Sequence, residues 1–431
     1  MIVLFLFGLV SVCRGYSVLT HEAIIDTAWD PAIKPLLLSR FPNATPDDLR
    51  MAHAYAYGGA VIQDMGYYPF GSKLFSDLVH YVRTGDFIEA LLRDSRDIND
   101  YAFALGALAH YAADNNGHRI AVNKAVPMLF PKLKRKYGNV VVYDENPAAH
   151  LKTEFGFDVL QLARGRYAPD DYRDRIGFQV AKPLLQKAFE DTYCVKLDDI
   201  FSNYDLAVGT YRYSISSVIP QMTKVAWQVK KDDIQKEFPG ITRKKFLYRI
   251  SRADYRKQWD GNYKQPGFVT KLLALFFRLI PKIGPFRALA FRTPTPDTEK
   301  LFVTSFDDSV REYEGLIHDY GGPGQPMLVN DNFDTGTTTG PGQYPLADQT
   351  YADLMDRLAK DHFSRVSPEL RKDLLAYYRD LNAPFADKKN KKQWAKLVKE
   401  VDDLKATSVA SNAISDSDSC SDGVCLQFFP D

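Results

Sequence analysis

Apolar residues along this chain recur mainly at intervals of three and four, the spacing that places them on one face of an α-helix. Four segments show this spacing most clearly, namely 87–114, 183–193, 205–229 and 300–320. Alternation of apolar and polar residues, which is typical of a half-buried strand, is scarce, and the best strand candidate, 140–143, is only four residues long. The pattern therefore predicts an all-α fold.

The amino-terminal end departs from this pattern. Residues 2–12 form an uncharged, mostly apolar run, too short to span a bilayer as a helix but long enough for the core of a signal peptide. Small residues at 13 and 15 predict cleavage after Gly15, so 1–15 is interpreted as a signal peptide and the mature protein as secreted or periplasmic. A lipoprotein acylated at Cys13 is less favoured, because Val12 is a poor residue before a lipidated cysteine.

The second half of the chain divides by composition. Segment 226–320 is predicted to be a helical extension, and the Gly-, Pro- and Thr-rich residues 321–346 predict a long connecting loop. A pair of helices is expected in 347–406, followed by a disordered tail, 407–431. Segment 271–292 mixes bulky apolar residues with Lys and Arg; a bent pair of core helices is the favoured interpretation, and peripheral contact with an anionic membrane is the second.

Charge and cysteine content add two constraints. The chain has 55 basic and 54 acidic residues, a net charge of +1, which gives no electrostatic indication of nucleic-acid binding. Removal of a signal peptide would leave three of the four cysteines. Cys420 and Cys425 could close a small disulfide loop in an oxidising compartment, which would leave Cys194 unpaired or buried in a structural role.

Six of the eight histidines lie in the first 150 residues. His110, Asp114 and His118 follow one another at intervals of four in an apolar helical segment, so their side chains would share one side of the helix and span roughly 12 Å. His150 and Glu154 form a second pair with the same spacing. Imidazole and carboxylate groups together suit zinc, whereas magnesium or calcium would require oxygen ligands almost throughout.

These residues, with others at similar spacing, resemble the zinc-dependent phospholipase C family, which is related to the single-strand-specific zinc nucleases. The mature family chain begins with an aromatic residue, usually Trp, followed five positions later by His; here the aromatic residue is Tyr. An Asp and a His about fifteen residues apart come next, then His-x₃-Asp with a further His, and finally His-x₃-Glu. The matching residues are Tyr16, His21, Asp64, His80, His110, Asp114, His118, His150 and Glu154. The resemblance covers about 16–225, which is the predicted catalytic domain.

The resemblance implies up to three zinc ions. One would be bound by Asp64, His80, His110 and Asp114. A second would be bound by His118, His150 and Glu154. The third would be bound by His21, by Asp114 as a bridging carboxylate, and by the backbone amine and carbonyl of Tyr16, which requires a free amino terminus at that residue. An α-amino group has a pKa near 7.7 to 8 and can lose its proton to bind zinc.

The implied activity is phospholipase C hydrolysis, in which zinc activates water and the products are diacylglycerol and a phosphorylated head group. Asp64 is the candidate base that orients the water and accepts its proton. Phospholipid or another phosphodiester is the expected substrate. Two alternatives remain open: a nuclease-type phosphodiesterase and a non-catalytic, zinc-stabilised binding protein. Nucleic acid is not the first choice of partner, and nothing in the sequence indicates an oligomeric state.

Other potential chemistry is less well supported. His21 and Glu22 begin a metalloprotease-like HExxH motif, but position 25 is Ile. Ser76 lies one turn before His80, a nucleophile-and-base spacing that also arises by chance. The remaining histidines are interpreted as structural: His53, His318 and His362.

Overall fold

The computed structural model describes residues 17–164, 178–215, 291–321 and 327–407, together with 230, 232, 233, 235 and 236. Within these residues every regular element is a helix, and the only β feature is an isolated bridge between Asn332 and Thr337. The predicted all-α fold is therefore confirmed. No helix in the described ranges is long and apolar enough to cross a membrane.

The amino-terminal part of the fold is a series of helices joined by short turns. Its α-helices are α1 (Val18–Ala28), α2 (Lys34–Arg40), α3 (Pro46–Ile62), α4 (Lys73–Tyr81), α5 (Thr84–Asp94), α6 (Ile98–Asn116), α7 (Asn123–Leu129), α8 (Pro131–Tyr137), α9 (Pro147–Arg164), α10 (Lys182–Tyr193), α11 (Leu197–Ile200) and α12 (Tyr204–Tyr213). Two π-helical segments, Trp29–Ile33 and Gly117–Val122, and two 3₁₀ turns, Gln63–Tyr67 and Tyr143–Glu145, connect some of them. The carboxyl-terminal part contains α13 (Pro296–Gly321), α14 (Pro345–Lys360), α15 (Pro368–Tyr377) and α16 (Lys391–Ala406), with a 3₁₀ turn at Ala386–Lys389.

Helices α3 and α6 form the most extensive helix pair of the core. α3 begins at a capping box: the Asp48 amide donates a hydrogen bond to the Thr45 hydroxyl, and the Thr45 amide donates one to the Asp48 carboxylate. α6 begins after Asp97, whose carboxylate accepts hydrogen bonds from two amides of the first turn. The two helix backbones approach so closely that a Cβ on Gly106 would lie 2.0 Å from the Ala56 carbonyl oxygen. Only glycine permits this approach.

Residues far along the chain return to this core. α13 packs against α6, and the Tyr313 hydroxyl donates a 2.9 Å hydrogen bond to the Leu105 carbonyl. The non-helical segment 327–344 lies next to α4 and α6: the Phe333 amide donates to the His80 carbonyl at 3.1 Å, and the Tyr111 hydroxyl donates to Val329 at 3.0 Å. The Gly-, Pro- and Thr-rich loop thus packs against the core at α4 and α6.

Two local predictions differ from the structure. Residues 140–142 have no regular secondary structure, and 143–145 form a 3₁₀ turn, so the best strand candidate, 140–143, forms no strand. The reason is that the Val141 amide donates to Asn123 at the start of α7 and its carbonyl accepts from the His150 ring, so no strand partner is engaged. Where the sequence predicts a helical pair in 347–406, the structure has three helices, because His362 and Phe363 adopt positive φ angles after α14.

Candidate metal centre

Eight of the nine predicted zinc ligands lie in the described residues, and each of the eight is at most 1 % exposed. The ninth, Tyr16, lies outside the described residues. The eight are His21 on α1, Asp64 on the 3₁₀ turn after α3, His80 on α4, His110 and Asp114 on α6, His118 on the π-helical segment, and His150 and Glu154 on α9. The fold therefore brings side chains from distant positions into one buried region.

These side chains form three groups, and within each group the potential ligand atoms all lie within 4.8 Å of one another. The His80 group consists of Asp64, His80 and His110. The His21 group consists of His21, His110 and Asp114. The His118 group consists of His118, His150 and Glu154. Because His110 belongs to two of them, the first two groups are contiguous.

Hydrogen bonds fix which nitrogen carries the proton when the two imidazoles of the His80 group are neutral. The Nδ1 atom of His80 lies 2.7 Å from the Ser76 carbonyl oxygen, and that of His110 lies 2.9 Å from the Ala60 carbonyl oxygen. A carbonyl oxygen only accepts, so each neutral ring carries its proton on Nδ1 and presents a lone pair at Nε2. The two Nε2 atoms face each other at 3.4 Å. Two lone pairs at this distance repel unless a cation lies between them.

Asp114 connects the His80 and His21 groups. Its Oδ2 lies 3.1 Å from His110 Nε2 and 3.6 Å from His80 Nε2, and its Oδ1 lies 3.5 Å from His21 Nε2. The two carboxylate oxygens thus point to different sets of imidazoles, as a bridging carboxylate would. Burial alone would raise the pKa of Asp114, but His110 and His80 hold that pKa well below its usual range.

The charge of the His80 group favours a cation at the imidazole nitrogens. Burial alone would lower the pKa of the His80 ring, but the carboxylates of Asp114 and Asp64 raise it to about 10. Asp64 Oδ1 lies 3.6 Å from His80 Nε2. The carboxylates therefore stabilise positive charge at this nitrogen, whether a proton or a metal ion carries it.

The His118 group has the same construction on a different part of the fold. The Nε2 atom of His150 lies 2.6 Å from the Val141 carbonyl oxygen, so the neutral ring presents its lone pair at Nδ1, 3.8 Å from Glu154 Oε1. Burial and the neighbouring His118 lower the pKa of His150 to about 3, which keeps the ring neutral. Burial and the nearby carboxylates of Asp114 and Asp64 raise the pKa of Glu154 well above its usual value. A cation bound in the group would lower the pKa of Glu154 again, and the neutral His150 ring is already in the form that binds a metal ion.

Zinc fits these donors in chemistry and in distance. Ligand bonds of 2.0–2.1 Å in a tetrahedral zinc site separate two ligand atoms by about 3.3 Å, and the facing pairs described above are 3.1 to 3.8 Å apart. Both ring nitrogens of His118 and both carboxylate oxygens of Glu154 are buried without a hydrogen bond to any described residue. Such atoms cost free energy unless a cation binds them.

The comparison with known families agrees with this chemistry. Residues 20–203 match the model of a family described as zinc dependent phospholipase C. This part of the chain belongs to the zinc-dependent phospholipase C family. No curated protein and no solved structure is significantly similar to the chain. The eight buried side chains all lie within the matched residues.

Two further buried carboxylates adjoin the candidate metal centre, and the sequence analysis did not identify them. Asp158 follows Glu154 by one helical turn on α9, and its carboxylate accepts hydrogen bonds from the Leu19 amide (3.2 Å) and the Thr20 hydroxyl (2.7 Å). It therefore fixes the first turn of α1, which begins two residues after Tyr16. Asp334, in segment 327–344, lies 3.7 Å from His118 and outside the family match.

His53 and Ser76, which the sequence analysis does not assign to the metal site, make contacts that stabilise the fold. His53 Nε2 lies 3.1 Å from Asp26 Oδ1, and its ring stacks on Trp29 with centroids 3.9 Å apart. The Ser76 hydroxyl accepts from the Gly66 amide at 2.9 Å and donates to the Gln63 carbonyl. Ser76 therefore holds the turn that carries Asp64 and has no nucleophile-like arrangement with His80.

The cysteine predictions are covered only in part. The Cys194 sulfur accepts a hydrogen bond from the Ser367 amide at 3.3 Å, a contact between α10 and the start of α15. Cys420 and Cys425 lie outside the described residues, as do the predicted signal peptide and nearly all of the predicted tail.

Proposed function

We propose that this protein is a secreted, zinc-dependent phosphodiester hydrolase of the phospholipase C type, which cleaves phospholipids into diacylglycerol and a phosphorylated head group. The observation that carries the proposal is the pair of Nε2 lone pairs of His80 and His110, which face each other beside the Asp114 carboxylate. Membership of residues 20–203 in the zinc-dependent family supports it.

Zinc bound by these groups would supply Lewis-acid chemistry, by lowering the pKa of water and neutralising charge on phosphoryl oxygens. We propose up to three ions, with the ligand sets that the resemblance implies, including the amine of Tyr16. Because Asp158 fixes the start of α1, the chain would enter the site in a constant position after cleavage at Gly15. This arrangement would couple secretion to assembly of the metal centre.

Asp64 is the residue we propose as base. Its carboxylate is completely buried and lies beside His80, and the 3₁₀ turn that carries it is held by Ser76. Burial raises the pKa of Asp64, so the carboxylate is a better proton acceptor than an exposed aspartate. In this role Asp64 would orient the attacking water through one oxygen and accept its proton.

The test is release of phosphorylated head groups from mixed phospholipid vesicles by protein that begins at Tyr16. We expect release, its loss after treatment with a chelator, and its return when zinc is added back. His118→Ala should lose release and one equivalent of zinc, whereas His318→Ala, at a side chain 90 % exposed, should change neither. Hydrolysis of single-stranded DNA without lipid release would favour the nuclease alternative. A zinc-loaded protein inactive on both would favour a binding protein.

A basic surface near the metal centre supports a lipid-bound substrate. Four exposed cationic residues lie on α8, namely Lys132, Lys134, Arg135 and Lys136. Met128 and Val140 flank them with 43 % and 49 % of their area exposed. Arg292, the last residue of segment 271–292, for which membrane contact is the second interpretation, lies 5.2 Å from the Phe130 ring in the same region. The rest of that segment, except Phe291, is outside the described residues.

We propose that this basic surface contacts anionic lipid. It lies close to the site, because Val141, next to Val140, accepts the hydrogen bond from His150. Exposed apolar residues among cations are typical of peripheral membrane contact.

Reversing two of these charges provides a direct test. Each basic residue near an anionic bilayer contributes about 1 kcal/mol, so Lys134→Glu with Arg135→Glu should weaken vesicle binding by more than about tenfold. Hydrolysis of a soluble phosphodiester should remain unchanged. Lys391→Glu with Lys392→Glu, at exposed positions on α16, gives the same change in net charge as a control. Equal loss in both double variants would show only a net-charge effect and would contradict the assignment of this surface.

A further inference from the structure

Asp334 lies beside the His118 group although its segment is outside the family match. The residue is completely buried. Its amide donates to the Asn332 side chain at 3.0 Å, and its carbonyl accepts from the Asn123 side chain at 2.7 Å. Asn123 directly follows the π-helical segment that carries His118. These bonds hold the Asp334 backbone against the amino-terminal core.

The turn around Asp334 is shaped to fit the end of α6. Gly336 has a φ angle of +62°, and a Cβ at this position would lie 2.1 Å from the Asn115 carbonyl oxygen. The Gly336 amide donates to Asn332 at 2.8 Å, which closes the turn. On the other side, the Phe333 ring packs edge-on against His80, with centroids 5.3 Å apart. The turn is therefore seated between the His80 and His118 groups.

The carboxylate of Asp334 has a defined orientation. Its Oδ2 accepts hydrogen bonds from the Tyr81 hydroxyl, at 2.8 Å, and from the Tyr344 hydroxyl. Two phenol donors on one oxygen stabilise the ionised carboxylate and direct it. Oδ1 faces His118 Nε2 at 3.7 Å.

This distance suits a shared metal better than a direct hydrogen bond. Hydrogen bonds between nitrogen and oxygen measure about 2.7–3.2 Å, and 3.7 Å is longer. It matches the 3.8 Å between His150 Nδ1 and Glu154 Oε1, two atoms of the proposed ligand set.

We propose that Asp334 is a metal ligand of the His118 group, supplied by the carboxyl-terminal half of the chain. The group would then have four protein ligands: His118, His150, Glu154 and Asp334. Segment 327–344 would be part of the metal centre, and zinc would hold it in place. The inference rests on metal occupancy of the proposed enzyme, and its test measures the metal.

Asp334→Asn removes the charge and preserves the shape of the side chain. Loss of a partner outside the ligand shell lowers metal affinity by about 10- to 100-fold, so loss of a ligand should lower the affinity for one zinc by more than about 100-fold in competition with a chromophoric chelator. Asp331→Asn, in the same segment, removes a carboxylate that bonds only to Thr338 among described residues and should bind zinc normally. An unchanged affinity, or a loss within the outer-shell range, would overturn the proposal.

A gain-of-signal variant covers the case in which Asp334→Asn does not fold. Asp334→Cys, loaded with cobalt in place of zinc, should show a thiolate-to-cobalt charge-transfer band that the parent protein and Asp331→Cys lack. A folded, cobalt-loaded Asp334→Cys protein without the band would overturn the ligand assignment. If the wild-type protein binds zinc and hydrolyses lipid, the proposed function stands whether or not Asp334 is a ligand. Wild-type protein without bound metal would contradict both.

Discussion

Replacement of Asp114 by alanine is expected to reduce activity and metal content more than any other single change in the site. Asp114 Oδ2 faces His80 and His110, whereas Oδ1 faces His21. The substitution would remove the carboxylate that connects the His80 and His21 groups and would leave three buried imidazoles without it. Loss of one preorganised electrostatic contact in an active site costs about 10²- to 10³-fold in rate, so a loss of about 10³-fold or more is expected here.

The measurement is zinc per folded chain, determined by elemental analysis alongside lipid hydrolysis. Asp348 offers a control, because it is a buried carboxylate far along the chain that accepts hydrogen bonds from Tyr377, Gly342 and Ala386. Asp348→Ala should lower the melting temperature but leave the zinc content of the folded fraction unchanged. Full zinc occupancy in Asp114→Ala would contradict the bridging role.

Four of the proposed ligand positions were accessible from the sequence alone because they follow local rules. His110 with Asp114, and His150 with Glu154, are one helical turn apart, and the structure places both pairs on α-helices. The family resemblance supplied the others. Asp158 continues the spacing of α9 by one more turn, so a search for further acidic residues on that face could have found it.

Asp334 could not be found in this way. It lies more than two hundred residues after His118, in a stretch whose Gly, Pro and Thr content is typical of a connecting loop. Composition indicates that such a segment is not helical, and it carries no information about where the segment packs. The contacts that determine its position, from Asn123 and Tyr81, are long-range. Only the folded chain shows that the loop lies against the site.

Two local features also depended on tertiary structure. A regular helix would carry His118 on the same face as His110, but α6 ends at Asn116 and the chain continues as a π-helical segment. The wider turn places His118 with His150 and Glu154. Short π-helical segments are frequent at functional sites. Similarly, the β-branched residues at 140–142 supply the carbonyl that orients His150 and form no strand.

Gly106→Ala is expected to destabilise the whole fold, although alanine is the better helix former. Helix propensity alone predicts a gain of about 1 kcal/mol. The new Cβ, however, would lie 2.0 Å from the Ala56 carbonyl oxygen and 2.8 Å from the Ala60 nitrogen, both backbone atoms of α3. The helices would have to separate, at a cost of about 3 kcal/mol or more, the upper end of the usual overpacking penalty.

Separation of α3 from α6 would also affect the metal centre. The Ala60 carbonyl on α3 accepts from His110 Nδ1 at 2.9 Å, and this bond directs the His110 lone pair into two of the three groups. We therefore expect Gly106→Ala to lower both the free energy of unfolding, measured with urea, and the zinc affinity. Gly315→Ala is the matched control, because this exposed position in α13 has nothing within 4 Å of the added Cβ. It should be neutral or stabilising by up to about 1 kcal/mol. If Gly106→Ala also proved stabilising, α3 and α6 could not be as close as described, and the orientation of His110 would need another cause.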